Sequence, residues 1–191
     1  MTLKLITGPT VEPISLADAK LHLKVDTADD DALIAILIAS ARLSAEHALG
    51  RVLLQQTWEL VLDAFPVAEI EIRAAGVLGI TSVKYINTAG VETTLSPAAY
   101  ALDAESAPAY LSPAAGTAWP ATADTTNAVR VRYTAGYGAA AADVPASIRH
   151  WLLLHIGSGY KHRETTAQGA TVSALPGRYH DALLDGEKVY L

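Results

Sequence analysis

The sequence predicts an α+β fold in which helical segments from both ends of the chain form one unit around an inserted antiparallel β block. Helical patterns occupy residues 1–50 and 144–191, whereas residues 51–143 contain short alternating segments separated by Gly and Pro. This order predicts a discontinuous helical unit, 1–50 with 144–191, and a β-rich insertion, 51–143.

The second predicted helix has the clearest boundaries in the chain. An aspartate run precedes residues 32–49, and Gly50 follows them, as is typical of the two ends of a helix. Ala32–Ala39 is apolar on every face, so we expect this half to be covered on more than one side. Arg42 and Glu46 have the i,i+4 spacing of an exposed ion pair.

The remaining helices have weaker signals. Ser15 can cap a short helix over 16–24, in which Asp18 completes a weak capping box. A proline near the first position begins a helix at 144–156 that can extend to Arg163. Residues 164–177 show no period and predict a mobile segment, and a short helix is predicted over 178–184.

The middle of the chain predicts a series of short strands. Alternation places Trp58, Leu60 and Leu62 on one strand face, and Gly90 lies in a turn between two further strands. Strands or strand-like turns are predicted over 57–63, 70–72, 80–86, 91–95, 96–103, 109–111 and 127–133.

Composition excludes several classes of function. The net charge of -6, from 14 Lys+Arg and 20 Asp+Glu, comes without a basic cluster, so tight duplex DNA binding is not expected. The chain has no Cys, which argues against disulfides and thiolate metal sites and favours synthesis in a reducing cytoplasm. The longest apolar run, Ala32–Ala39, is shorter than the roughly 18 residues of a membrane span, so a soluble protein is expected.

No catalytic, cofactor or metal motif is predicted. His150, His155 and His162 are spaced by five and seven residues, which does not match the H-E-x-x-H pattern. The aspartates at 26 and 29–31 lack the EF-hand spacing, and stabilisation of the next helix is the simpler interpretation. The Gly157-Ser158-Gly159 triplet is not a nucleophile elbow, so these glycines are expected to permit a close helix approach or a helix break.

Several segments, taken in order, resemble the head-tail connector (adaptor) proteins of long-tailed bacteriophages, in the branch that carries a β insertion. No single segment is diagnostic; their order and spacing carry the resemblance. The matching segments are Leu3–Thr7, Glu12–Lys20, Leu21–Asp26, Asp30–Ile34, Gln56–Leu60, Ser82–Tyr85, Trp119-Pro120, Val129–Gly138 and Val144–Ile148.

The resemblance implies a non-enzymatic structural subunit without cofactors. Such a subunit joins a ring below the portal, with about twelve copies expected from the portal symmetry, and links the DNA-filled head to the next neck or tail protein. DNA would pass through the channel without specific binding, which suits an acidic chain. The implied location is the virion neck of a phage or prophage product, after assembly in the host bacterial cytoplasm and without a membrane partner.

A ring subunit needs two different contact faces, and residues 164–191 have the composition of an arm that orders on assembly. The candidate interface residues lie in the second helix, the third helix and this arm. They are Leu33, Ile36, Leu37, Trp151, Leu154, Tyr160, Arg163, Tyr179 and Leu191.

Two other functions stay open at the level of sequence. A β-rich module for carbohydrate or peptide would need an apolar cleft lined by Tyr100, Tyr110 and Trp119. A small hydrolase with a dispersed site would need a buried His beside Ser or Asp, because catalytic triads are recognised by geometry.

Overall fold

The computed structural model of the protein describes residues 1–73, 76–162 and 182–188. Its contacts divide the chain into two compact units. The β unit comprises Met1–Pro9 and Gln55–Tyr137, and the helical unit comprises Thr10–Leu54 with the described residues from Gly138 onward. Helices and antiparallel sheets are both present, so the predicted α+β class is confirmed.

The described part of the helical unit contains three helices: α1, Leu16–Leu23; α2, Asp31–Leu49; and α3, Ala146–Lys161. Ser15 caps α1, since its hydroxyl oxygen accepts the Asp18 backbone N–H at 3.0 Å. In place of a full capping box, that hydroxyl also donates to the Asp18 carboxylate. Residues 182–185 add one further helical turn. The three helices predicted at 16–24, 32–49 and 144–163 are therefore present, with Pro145 immediately before α3.

Small and aliphatic side chains form the core of the helical unit. Ala19, Ala41 and Ala45 are fully buried, and alanine at such positions lets helix backbones approach closely. The larger core residues are Ile34, Leu49, Leu53, Leu54, Ile148, Leu152 and Ile156. Apolar burial of this kind stabilises the unit by roughly 1.5–3 kcal/mol per large side chain.

The described part of the β unit contains eight antiparallel strands in two sheets. Their bounds are β1, Thr2–Thr7; β2, Gln56–Leu62; β3, Ile70–Ile72; β4, Val77–Ile86; β5, Glu92–Thr94; β6, Tyr100–Asp103; β7, Ala109–Pro113; and β8, Val129–Ala135. The five-stranded sheet has the order β1-β2-β8-β4-β5, and the three-stranded sheet has the order β3-β7-β6. The β4–β5 pair is the hairpin that the glycine turn predicts.

Strand β8 lies at the centre of the five-stranded sheet and shows the period-two pattern most clearly. Val129, Val131, Tyr133 and Ala135 are buried, whereas the residues between them are half-buried or exposed. Two neighbours, β2 and β4, pair with β8 along its whole length. The sequence pattern therefore places the apolar face of β8 in the core of the β unit.

Strand β1 is the main difference between prediction and structure. The sequence assigned residues 1–50 to the helical unit, but Thr2–Thr7 pairs with β2, with Leu3 opposite Leu60. Residues 1–9 therefore lie in the β unit.

The predicted mobile segment, 164–177, and most of the predicted helix at 178–184 lie outside the described residues.

Helix α2 is the one helix among the described residues that is long and apolar enough to cross a membrane by those two criteria alone. A core helix of a soluble protein meets the same criteria. Six residues of α2, including Arg42, are buried within the protein. These contacts make α2 a structural element of the helical unit.

Candidate assembly surface

The outer face of α2 is apolar and uncharged. Ile36 is 66% exposed and Leu43 is 59% exposed, and they lie seven residues apart, which places them on one face of the helix. Ala32, Ser40 and His47 are also exposed on this face. We call these five residues the α2 face; none of them is Asp, Glu, Lys or Arg. Such a face is typical of the centre of a subunit interface, where charged residues are depleted.

Among the described residues, the expected covering of the first half of α2 on more than one side is not found. In the first half of the helix only Ile34 and Ile38 are buried. Their spacing of four residues gives one buried stripe, while Ile36 points away from it. The apolar composition of Ala32–Ala39 thus leaves an exposed surface on the isolated subunit.

The inner face of α2 holds an ion cluster that the sequence placed at the surface. Arg42 is 9% exposed, and its Nη1 lies 3.1 Å from Glu46 Oε2. Its Nε lies 2.8 Å from Glu12 Oε2. Burial opposes the charge of Arg42, but the two carboxylates outweigh it and raise the pKa of Arg42 above its usual value. The predicted exposed pair is therefore wrong, because a third partner from the segment before α1 encloses the guanidinium.

The beginning of α2 is tied to both other helices. Lys20 of α1 places its Nζ 2.6 Å from Asp31 Oδ1. The Tyr160 hydroxyl of α3 donates a hydrogen bond to Asp30. The aspartate run was expected to stabilise the N-terminus of α2, yet the side chain of the N-cap residue Asp30 makes no capping hydrogen bond. Its carboxylate instead fixes the position of α3 relative to α2.

Two glycines of α3 permit a close helix approach, as the sequence predicts. A Cβ at Gly157 would lie 3.3 Å from His22 Nε2 of α1, and one at Gly159 would lie 2.9 Å from Leu37 Cδ2 of α2. Helix α3 continues through both glycines to Lys161. They therefore serve helix packing and not a helix break.

The nine candidate interface residues fall into distinct environments. Ile36 is exposed, and Leu33, Leu37, Leu154 and Tyr160 are half-buried. Trp151 is only 5% exposed and belongs to the core of the protein, because the face of α3 that carries it turns inward. Arg163, Tyr179 and Leu191 lie outside the described residues.

Two exposed leucines were missed by the sequence reasoning. Leu43 was missed although it lies seven residues after Ile36, which was the available signal. Leu21 is 80% exposed and lines a cleft of about 520 Å³ between α1 and the beginning of α3. Asp18, Arg149, His22 and His150 also line this cleft, so it combines apolar groups with polar and charged groups of both signs.

His155 of α3 packs against a neighbouring aromatic ring. The His155 ring stacks on Trp151, with ring centroids 4.8 Å apart. Across residues 1–73, 76–162 and 182–188, no three or more His, Asp or Glu side chains are grouped so that they could hold a metal ion.

The aromatic residues of the β unit do not form the cleft that a carbohydrate- or peptide-binding module would need. Asp103 pairs directly with Tyr110, and Tyr100 lies three residues before Asp103 in the same strand. Because side chains alternate along a strand, Tyr100 and Tyr110 lie on opposite faces of the sheet. Trp119 stacks on Phe65 at 4.8 Å and donates its indole N–H to Ala68 O. Through these two contacts, Trp119 holds the loop after β2 in place.

Residues 13–87 match the family model described as phage gp6-like head-tail connector protein. This match runs from the segment before α1 to the end of β4. Over these residues the chain is similar to the phage head-tail connector family. The connector resemblance noted in the sequence is thereby confirmed.

Solved structures have a fold similar to that of the whole chain. Three of them are titled neck of empty GTA particle computed with C6 symmetry, virion of native gene transfer agent (GTA) particle, and neck of native GTA particle computed with C12 symmetry. Their TM-scores are 0.80, 0.79 and 0.77, each at 22% identity. Each alignment covers 100% of this chain and 97% of the other. The chain therefore shares the fold of these particle proteins, while no curated protein matches it.

Proposed function

We propose that this protein is a head-tail connector that assembles in the virion neck into a ring of about twelve copies. The ring lies below the portal and joins the DNA-filled head to a neck or tail protein. The observation that carries the proposal is the connector family match over residues 13–87. The likeness to neck structures with C6 and C12 symmetry supports the ring and its location.

The α2 face supplies one contact of the proposed ring. A closed ring uses heterologous contacts, in which two different faces of each subunit meet. Ile36 and Leu43 are exposed on the isolated chain, and burial of an apolar side chain contributes roughly 1.5–3 kcal/mol. The uncharged α2 face therefore favours association with a protein surface over exposure to water.

The role of this connector in the neck is structural and not enzymatic. The portal protein is the proposed partner on the head side, and a neck or tail-completion protein is the partner on the other side. The net charge of -6 suits a channel through which DNA passes without specific binding. Assembly would take place in the host bacterial cytoplasm.

Native mass spectrometry across a concentration series tests the ring. The expected result is one large closed species, or a monomer that converts to it as the concentration rises. A chain that stays monomeric is then mixed with the portal protein, and assembly on the portal supports the proposal. A strict monomer under both conditions would overturn it.

A further inference from the structure

At both edges of the five-stranded sheet, the described strands leave backbone N–H and C=O groups without a partner in the sheet. Among the described strands, β1 pairs only with β2, and all six of its residues are exposed. Leu3, Leu5 and Ile6 are 46%, 51% and 41% exposed. An exposed apolar edge strand readily pairs with another strand, because its outer N–H and C=O groups have no partner in the sheet.

The opposite side of the sheet is only half covered. Strand β4 spans ten residues, but β5 pairs with Lys84, Tyr85 and Ile86 alone. After Leu95 donates to the carbonyl of Val83, the chain leaves the sheet in a short helical turn at Pro97–Ala99. The first part of β4, residues 77–82, therefore has no partner on that side among the described strands.

The open part of β4 has room for an added strand. A Cβ at Gly79 would meet no heavy atom within 4 Å, and Leu78 beside it is 50% exposed. The sheet pairing is irregular between Val77 and Gly79 and between Ile80 and Ser82. These bulges twist the edge, so a regular partner must follow that twist.

The directions of the strands allow one copy to continue the sheet of the next. Strands β1, β2, β8 and β4 alternate in direction, because each pairs antiparallel with its neighbour. Strands β1 and β4 of one copy therefore run in opposite directions. If a second copy continues the sheet in the same orientation, its β1 lies antiparallel to β4 of the first copy. Its length also fits, since β1 has six residues and the open segment 77–82 has six.

We propose that β1 of one copy adds to the open segment 77–82 of β4 in the next copy, so that neighbouring subunits share a continuous antiparallel sheet. The contact is heterologous, because β1 meets β4 and never another β1, which is what a closed ring requires. This inference rests on the proposed ring function and names a second contact, separate from the α2 face.

The absence of cysteine from the sequence allows a direct test by cross-linking. Lys4 in β1 and Thr81 and Leu78 in β4 are exposed, so Lys4→Cys, Thr81→Cys and Leu78→Cys are each expected to fold. A mass-tagged K4C chain is mixed with T81C or L78C under ring-forming conditions and oxidised. A mixed disulfide dimer is expected, since paired strands bring Cα atoms within the roughly 4.4–6.8 Å that a disulfide needs.

Several outcomes distinguish the alternatives. K4C alone must give no dimer, because a K4C homodimer would mean that β1 pairs with β1 and would overturn the inference. K4C mixed with E105C, which places the thiol on the exposed loop after β6, is the matched control and should not cross-link. Rings by native mass spectrometry without a mixed disulfide overturn the shared sheet and leave the proposed function standing. No ring with or without portal protein overturns both.

Discussion

The side chain of Arg42 reaches Glu12 across a separation of thirty residues, with Nε and Nη2 lying 2.8 and 3.4 Å from the two carboxylate oxygens. This contact fixes the segment before α1 against the inner face of α2. Glu46 completes the cluster and also accepts the Leu53 backbone N–H at 3.0 Å. The Arg42 guanidinium and its two carboxylate partners thus contact both the segment before α1 and, through Glu46, the segment after α2.

Arg42→Met should lower the free energy of unfolding by about 2–4 kcal/mol, because it leaves Glu46 buried beside Glu12 without a cation. Urea unfolding followed by circular dichroism measures the loss. Lys84→Met is the control, since Lys84 and Glu92 are both about half exposed and such a pair contributes about 1 kcal/mol or less. Equal losses in the two variants would contradict the role of Arg42.

Tyr160→Phe should destabilise the helical unit by about 1–2 kcal/mol, because it removes the hydrogen bond from the hydroxyl to the Asp30 carboxylate. A double-mutant cycle with Asp30→Asn isolates the contact from the other interactions of each residue. A coupling energy near zero would show that α3 is held to α2 by apolar packing alone.

Tyr133→Phe should reduce the loss of stability in alkali. Burial raises the pKa of Tyr133 from 10.0 to about 12. Because the folded pKa exceeds the unfolded pKa, this stabilisation is complete below pH 10 and is lost as the pH rises to about 12. Between those limits the free energy of unfolding of the wild type should fall by about 2–3 kcal/mol more than that of Tyr133→Phe. This follows from about 1.4 kcal/mol for each unit of difference between the folded and unfolded pKa. Parallel stability curves from urea titrations would contradict this.

Ile36→Asp should prevent ring assembly while changing subunit stability by no more than about 0.5 kcal/mol, because Ile36 is largely exposed in the isolated chain. Native mass spectrometry measures assembly, and thermal unfolding measures stability. Val67→Asp is the matched control: Val67 is fully exposed on the loop after β2, outside the α2 face. Rings formed by Ile36→Asp as readily as by the control would remove the α2 face from the assembly contact.

Local signals predicted most of the secondary structure. The aspartate run and Gly50 bounded α2, and the turn at Gly90 identified the β4–β5 hairpin. Strand β1 was missed because its partner lies far along the chain, with Thr2 opposite Val61, and because the segment is short and exposed on both faces. Pairing over such distances leaves no mark on a short window of sequence.

The candidate surface was predicted only in part. Composition identified the apolar start of α2, but it could not distinguish the buried Ile34 from the exposed Ile36 without the position of α3. For the same reason, the apolar pattern of α3 did not show that Trp151 is covered within the chain. The burial of Arg42 depended on Glu12, thirty residues away.

The strand order of the five-stranded sheet also determines how early during synthesis the β unit can fold. Strand β2 needs β8 beside it, and Gln56 lies opposite Ala135, so synthesis must add more than seventy residues before the pair can form. At roughly 5–20 residues per second, that delay is on the order of 10 s. The α1–α2 pair can form early from neighbouring residues, but β1 and β2 must wait with apolar side chains uncovered. Protection of these side chains from aggregation matters most in that interval, before β8 emerges from the ribosome.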